Sequence, residues 1–259
     1  MVEAQNVGFH AGKRDLIAGI SARFAPGQLH LIIGANGAGK STLVKVLSRL
    51  LKPAGGHVLY DGHDIAKASE RDLARRRAVL SQAIEVAFPL TVREVVMMGR
   101  YPHFATRPSA HDVAIVTEVM DFFEVTEMGE RSYPTLSGGE KQRVNFARVL
   151  AQVWQPLSGQ HRILFLDEPL TFLDIRHQID FMKKVRSTVI GGDMVVIGVV
   201  HDLNLAARFA DRLLLLNQGR MLAEGTSADV LTPENIRTAF GIEPVVTTAP
   251  GGGTHLIFD

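Results

Sequence analysis

The sequence predicts an α/β fold in which a largely parallel sheet is covered by helices and a helical subdomain is inserted between two halves of the sheet. Three observations carry this reading. Short, continuous apolar runs at 29–33, 163–166, 194–200 and 213–216 alternate with helical spacing at 40–51, 175–189 and 203–209. Between about 84 and 152 strand-like runs vanish, and helical periodicity takes over at 92–98, 112–123 and 139–153. A glycine-rich stretch joins the first buried strand directly to the first helix.

The elements follow in order. Residues 2–9 and 16–24 alternate apolar and polar side chains and read as strands leading into the turn at Pro26-Gly27. After the strand at 29–33 and the helix at 40–51, Pro53, Gly55 and Gly56 break the chain and 57–60 forms the next strand. The arginine-rich stretch 71–77 reads as a solvated helix face, and 78–81 as a strand that ends at Gln82. Near the end, Gly251-Gly252-Gly253 separates 245–247 from 256–258, the pattern of a small hairpin. The expected organisation is a core of 1–83 and 153–240, a helical subdomain at 84–152 and a tail at 241–259.

Composition excludes several classes of function. Among 259 residues, 28 Lys and Arg face 27 acidic residues for a net charge of +1, so no strong global field draws the chain to nucleic acid. With 46% hydrophobic and 21% charged residues it is a folded chain, not a disordered one. The absence of cysteine excludes a disulfide framework, a thiolate metal site and a thiol nucleophile. The first residues lack the apolar core of a signal peptide, and the strongest apolar run falls far short of the about 20 residues that span a bilayer. A soluble, cytosolic protein is expected. None of the ten histidines falls into a metal or heme cage.

Three motifs carry chemistry. Gly34-Ala35-Asn36-Gly37-Ala38-Gly39-Lys40-Ser41-Thr42 fits G-x-x-x-x-G-K-[ST] between a strand and a helix. Its glycines let successive N–H groups point at phosphate oxygens, while Lys40 would reach the β- and γ-phosphates and the Ser41 hydroxyl would ligate Mg²⁺. Downstream, Ile163-Leu-Phe-Leu runs into Asp167-Glu168, placing Asp167 to support Mg²⁺ and Glu168 to face an attacking water as base or orienting group. The third motif, Leu136-Ser137-Gly138-Gly139-Glu140, has S-x-x-E capping-box spacing and should open a helix whose first amides stay free to bind an anion.

Together these motifs resemble the nucleotide-binding subunit of ABC transporters, and the resemblance spans nearly the whole chain. It implies an ABC-type phosphate-loop ATPase with a mainly parallel core sheet, an N-terminal antiparallel β part and an inserted helical subdomain. It also implies bound ATP and Mg²⁺, and ATP hydrolysis coupled to transport. Ser137, Gly138, Gly139 and Glu140 of one copy would close over ATP held by the phosphate loop of a second copy. Gln82 matches the Q-loop glutamine that helps ligate Mg²⁺ or position water, His201 the switch histidine beside the γ-phosphate, and Asp174 the D-loop aspartate. Leu170 and Phe172 depart from the small residues usual in that loop. Ala11 stands where the family stacks adenine on an aromatic ring, leaving Phe9 or His10 as substitutes.

Residues 88–103 (FPLTVREVVMMGRYPH), 201–204 (HDLN) and 211–225 are similar to the ATPases of iron-chelate, heme and cobalamin importers. The long connection at 152–161 is similar to heme-importing members, which favours heme over siderophore or cobalamin as cargo; an insertion of that size also suits a neutral surface loop. The implied partners are a second copy, two transmembrane permease subunits at the cytoplasmic face of a bacterial membrane and, indirectly, a substrate-binding protein. A soluble ABC ATPase without a transporter is the alternative; it would ordinarily carry coiled coils or a second cassette, which this chain lacks.

Overall fold

β1 (Val2–Ala11) and β2 (Arg14–Phe24) form a long antiparallel pair with shifts of register between Ala4 and His10, and burial alternates along the end of β2 from Ile20 to Phe24. The computed structural model describes residues 1–80, 89–171, 173–249 and 252–258. A turn at Pro26-Gly27 leads into β3 (Gln28–Ile33), and α1 (Lys40–Leu47) follows the glycine-rich loop. The expected helix to residue 51 stops early because Arg49 turns into the left-handed region (φ 59°). Its guanidinium there donates to the carbonyls of Ile65 (2.7 Å) and Ala68 (2.6 Å). Then come β4 (Gly55–Tyr60), β5 (His63–Asp64), α2 (Glu70–Arg76) and β6 (Arg77–Leu80).

Among the described residues of the stretch expected to be helical lie, with short 3-10 turns between them, three α-helices, each opened by a reciprocal capping box. These are α3 (Val92–Met97) behind Thr91 and Glu94, α4 (Ala110–Phe122) behind Ser109 and Asp112, and α5 (Gly138–Gln152) behind Ser137 and Glu140. A fully buried ion pair ties them together. Arg100 Nε donates to Asp112 Oδ1 at 3.0 Å and its Nη1 to the Ala151 carbonyl at 2.8 Å. The chain continues through β7 (Arg162–Asp167), α6 (Ile175–Val189), β8 (Met194–Val199), α7 (Leu203–Phe209) and β9 (Arg212–Asn217). It ends with β10 (Arg220–Gly225), α8 (Ser227–Val230), α9 (Pro233–Phe240) and a hairpin of β11 (Val245–Thr248) and β12 (Thr254–Ile257).

The central sheet runs β10-β9-β3-β8-β7-β6, parallel throughout except for β10 at its edge. Period-two alternation sends its side chains into two cores. Leu29, Leu31, Ile33, Leu164, Leu166 and Val196 pack with the helices of 92–153, while Ile32, Ile163, Phe165, Val195, Ile197 and Val199 pack with α1 and the antiparallel sheet β2-β1-β4-β5. Both faces are therefore covered, as a parallel sheet requires. Among the described residues no helix is long and apolar enough to cross a membrane.

One expectation changes. The arginine stretch is not a uniformly solvated face: Arg76 is buried and its guanidinium pairs with Asp61, which also meets the Met1 amino group and the ring of His161. The connection 152–161 is an irregular surface stretch that three side-chain contacts hold to the rest of the chain. Trp154 Nε1 donates to Glu118 (2.7 Å), Gln155 meets His111 (2.6 Å), and His161 reaches Asp61 (2.7 Å). Burial alone would raise the Asp61 carboxyl, but the Met1 ammonium, His161 and Arg76 outweigh it and bring it down to about 2. A carboxyl held below its unfolded value of 3.8 stabilises the fold fully above about pH 4 and loses that contribution as the pH falls toward 2. Asp61→Asn should therefore melt below wild type at pH 7, and the gap should close between about pH 4 and pH 2 in calorimetry.

Candidate functional site

Ligands of open α/β sheets bind beyond the carboxyl ends of the strands, and here β3, β7 and β8 end side by side. The loop after β3 is shaped by glycines that no other residue could replace. Gly34 (φ 149°) and Gly39 (φ 99°) adopt backbones that favour glycine, and a Cβ would stand 2.3 Å from the Leu216 carbonyl oxygen or 2.5 Å from that of Leu16. The turn after β9 closes over this loop: Gly219 N donates to the Ala38 carbonyl (3.1 Å), and Ala18 N to the Gly219 carbonyl (2.8 Å). Helix α1 then starts at Gly39 with no capping side chain and no acidic residue in its first turn. Its N-terminal amides and positive dipole end are left to an anion.

Lys40 is 5% exposed, and its Nζ donates to the carbonyls of Gly34 (2.9 Å) and Ala35 (3.0 Å). Burial lowers its affinity for a proton, while Glu168 and Asp167 pull the other way and favour the ammonium. The next residue, Ser41, donates its hydroxyl to Asp167 Oδ1 at 2.7 Å. Burial pushes the Asp167 carboxyl up; the Ser41 hydrogen bond opposes this and the Glu168 charge adds to it. Glu168 follows with a left-handed backbone (φ 53°), a conformation uncommon for a side-chain-bearing residue and a mark of local strain. Its Oε1 lies 2.9 Å from His201 Nε2 at the end of β8. Three strand ends thus deliver an ammonium, a hydroxyl–carboxylate pair and a carboxylate–imidazole pair to one place.

The Ser137–Glu140 motif is not part of that group. Ser137 N donates to Glu140 Oε2 (2.7 Å), Glu140 N points back to Ser137 Oγ (3.4 Å), and Arg131 holds the other carboxylate oxygen (3.0 Å). With Glu140 spent on the cap, the amides of Gly138 and Gly139 at the start of α5 have no hydrogen-bond partner among the described residues. Among the described residues no hydrogen bond or ion pair joins this motif to the Gly34–Thr42 loop of its own chain. Asp174 caps α6, accepting from His177 N at 2.9 Å. Gln82 and Phe172 lie outside the described residues.

Sequence reasoning passed over Gln142, whose side chain donates to the Pro169 carbonyl (2.6 Å) and so ties the second turn of α5 to the loop beyond Glu168. Its place two residues after Glu140 was the available signal. The cleft beside the phosphate loop, about 490 Å³, is bounded by Arg14, Leu16, Asn36, Gln218 and Thr238, with no aromatic side chain among the described residues that line it. Phe9 packs against the core, and His10 is exposed on β1.

A buried ammonium beside an uncapped helix start suits a polyphosphate, and the fold and the site together place the protein in the class of phosphate-loop nucleotide-binding proteins. The chain belongs to the ABC transporter family, whose model matches residues 17–171. The hemin import ATP-binding protein HmuV of Bordetella pertussis is 44% identical over 250 residues, covering 96% of this chain and 95% of that protein. Among solved structures, an inward-facing metal-chelate type ABC transporter shares the fold with a TM-score of 0.82 and 24% identity, over 100% of this chain and 97% of that one. A bacterial ABC transporter cassette solved as a dimer gives 0.74 at 24% identity, over 88% and 99%.

Proposed function

We propose that the chain is the ATP-binding, ATP-hydrolysing subunit of a bacterial ABC importer and energises uptake of hemin. The observation that carries the chemistry is the convergence of Lys40, Ser41, Asp167, Glu168 and His201 at the ends of β3, β7 and β8. The name of the relative, over nearly the full length of both chains, supports the cargo.

In this reading the amides of residues 34–42 cradle the triphosphate, and Lys40 exchanges its bonds to the Gly34 and Ala35 carbonyls for phosphate oxygens. The donors at Ser41 and Asp167 are hard oxygens, already adjacent, and suit Mg²⁺, which takes one or two protein ligands and completes its shell with water and phosphate. Held by Ser41 and Asp167, Mg²⁺ would supply neutralisation of phosphate charge. Gln82 is proposed as a further ligand. Glu168 orients the attacking water and accepts its proton, and His201 holds the Glu168 carboxylate and faces the γ-phosphate.

One chain holds half of each site. Two copies would sandwich two nucleotides, Ser137, Gly138 and Gly139 of one facing the phosphates held by the other, with Asp174 near the junction. Because phosphate loop and signature are different surfaces, a closed two-fold pair satisfies both at once. The helical stretch 84–152, with the segment after Gln82, would carry this motion to two permease subunits at the cytoplasmic face of the membrane. A substrate-binding protein would deliver cargo from the other side.

The test is phosphate release by the chain assembled with its permease in vesicles. Hemin-loaded binding protein should stimulate hydrolysis. Stimulation by a ferric siderophore or cobalamin instead would reassign the cargo, and failure to pair with any permease would favour a soluble ATPase.

A further inference from the structure

The C-terminal hairpin is fastened to the helix that follows His201, and among the described residues one side chain makes the hydrogen bonds between them. Asn204 donates from Nδ2 to the Leu256 carbonyl at 2.9 Å and accepts at Oδ1 from Leu256 N at 2.8 Å. A carboxamide carries the same donor and acceptor as a peptide group, so Asn204 serves the free edge of β12 as one more residue of a strand would. Leu256 itself is buried against the core. A weaker tether, Thr254 Oγ1 to Ser227 Oγ at 3.3 Å, fixes the same strand to α8.

Helix α7 needs such a tie. It has seven residues, too few to be stable on its own, so packing of Leu203, Leu205, Ala206 and Phe209 in the core holds its body, and polar contacts set the direction of its first turn. Two devices act there. Asp202 caps the helix by accepting from Leu205 N at 2.9 Å, and Asn204 clamps the same turn to β12. His201 immediately precedes the cap and meets Glu168 at 2.9 Å. Hairpin, helix turn and imidazole thus form one short mechanical chain.

We propose that Asn204 is a positioning residue: by locking the C-terminal hairpin onto α7 it fixes the loop that holds His201 against Glu168. The inference rests on the role proposed above for His201. Loss of the clamp leaves the phosphate loop intact, so nucleotide binding is kept while the chemical step slows, because a small displacement of a catalytic group lowers the rate without touching remote contacts.

The test is steady-state phosphate release by the full chain with MgATP. Asn204→Ala and Asn204→Asp should each lower kcat about three- to tenfold with the half-saturating MgATP concentration unchanged. The Asp variant keeps the volume of the side chain but turns an oxygen toward the Leu256 carbonyl, so it breaks the clamp even if the Ala variant folds poorly. The deciding comparison is His201→Ala with and without Asn204→Ala. The double variant should hydrolyse ATP at the rate of His201→Ala alone. Wild-type kcat in Asn204→Asp, or the same fold-loss in both backgrounds, would overturn the proposal. Wild-type hydrolysis by His201→Ala would instead remove the role of His201, and the inference with it.

Discussion

Glu168→Gln should bind MgATP as tightly as wild type and hydrolyse it about 10²- to 10⁴-fold more slowly, the range over which a positioned general base acts. The expectation follows from local geometry. Asp167 ends a buried strand and is engaged by Ser41, so its carboxylate is committed. Glu168, one residue later, turns through a left-handed backbone to face His201 at 2.9 Å. Glutamine keeps the shape and can still meet the imidazole, but it cannot accept a proton from water. Nucleotide would therefore persist, and light scattering should show a long-lived ATP-bound dimer. Hydrolysis at the wild-type rate would assign the water to another group.

Lys40→Met should fail one step earlier. Removing the ammonium leaves phosphate charge facing Asp167 and Glu168 without the one side-chain cation the phosphate loop supplies, at a cost of about 3–4 kcal/mol. Binding of ATP should weaken by about two orders of magnitude or more in calorimetry. The fold should survive, because a buried ammonium is itself costly and methionine fills a similar volume. The two variants separate cleanly: one binds and does not turn over, the other does not bind.

The parts of this site that were legible in the sequence are local. Gly34 and Gly39 announce themselves because no side chain fits where their backbones run, and continuous apolar runs such as 163–166 mark strands covered on both faces. The parts that were not legible are joined across long stretches of chain. Asp61 with His161 is 100 residues apart, and Asn204 with Leu256 is 52. Periodicity reports which face of an element is apolar and nothing about which distant polar group a side chain will meet. That is why Arg76 looked like one more solvated arginine, and why the contacts of 152–161 with Glu118, His111 and Asp61 could not be read from its sequence. Strand β10 escaped for a different reason: Arg220, Met221 and Leu222 are all exposed at the sheet edge and show no alternation.

The sandwich of two copies is open to one direct measurement, made easy by a chain that contains no cysteine. Asn36 is exposed on the phosphate loop and Gly138 is exposed at the start of α5. Asn36→Cys and Gly138→Cys, introduced together in the Glu168→Gln background, place one thiol on each of the two surfaces that should meet across the nucleotide. Oxidation in MgATP should give a covalent dimer, and oxidation without nucleotide should leave monomer. No dimer in MgATP, or equal amounts with and without it, would contradict a site shared between the phosphate loop of one copy and the signature of the other.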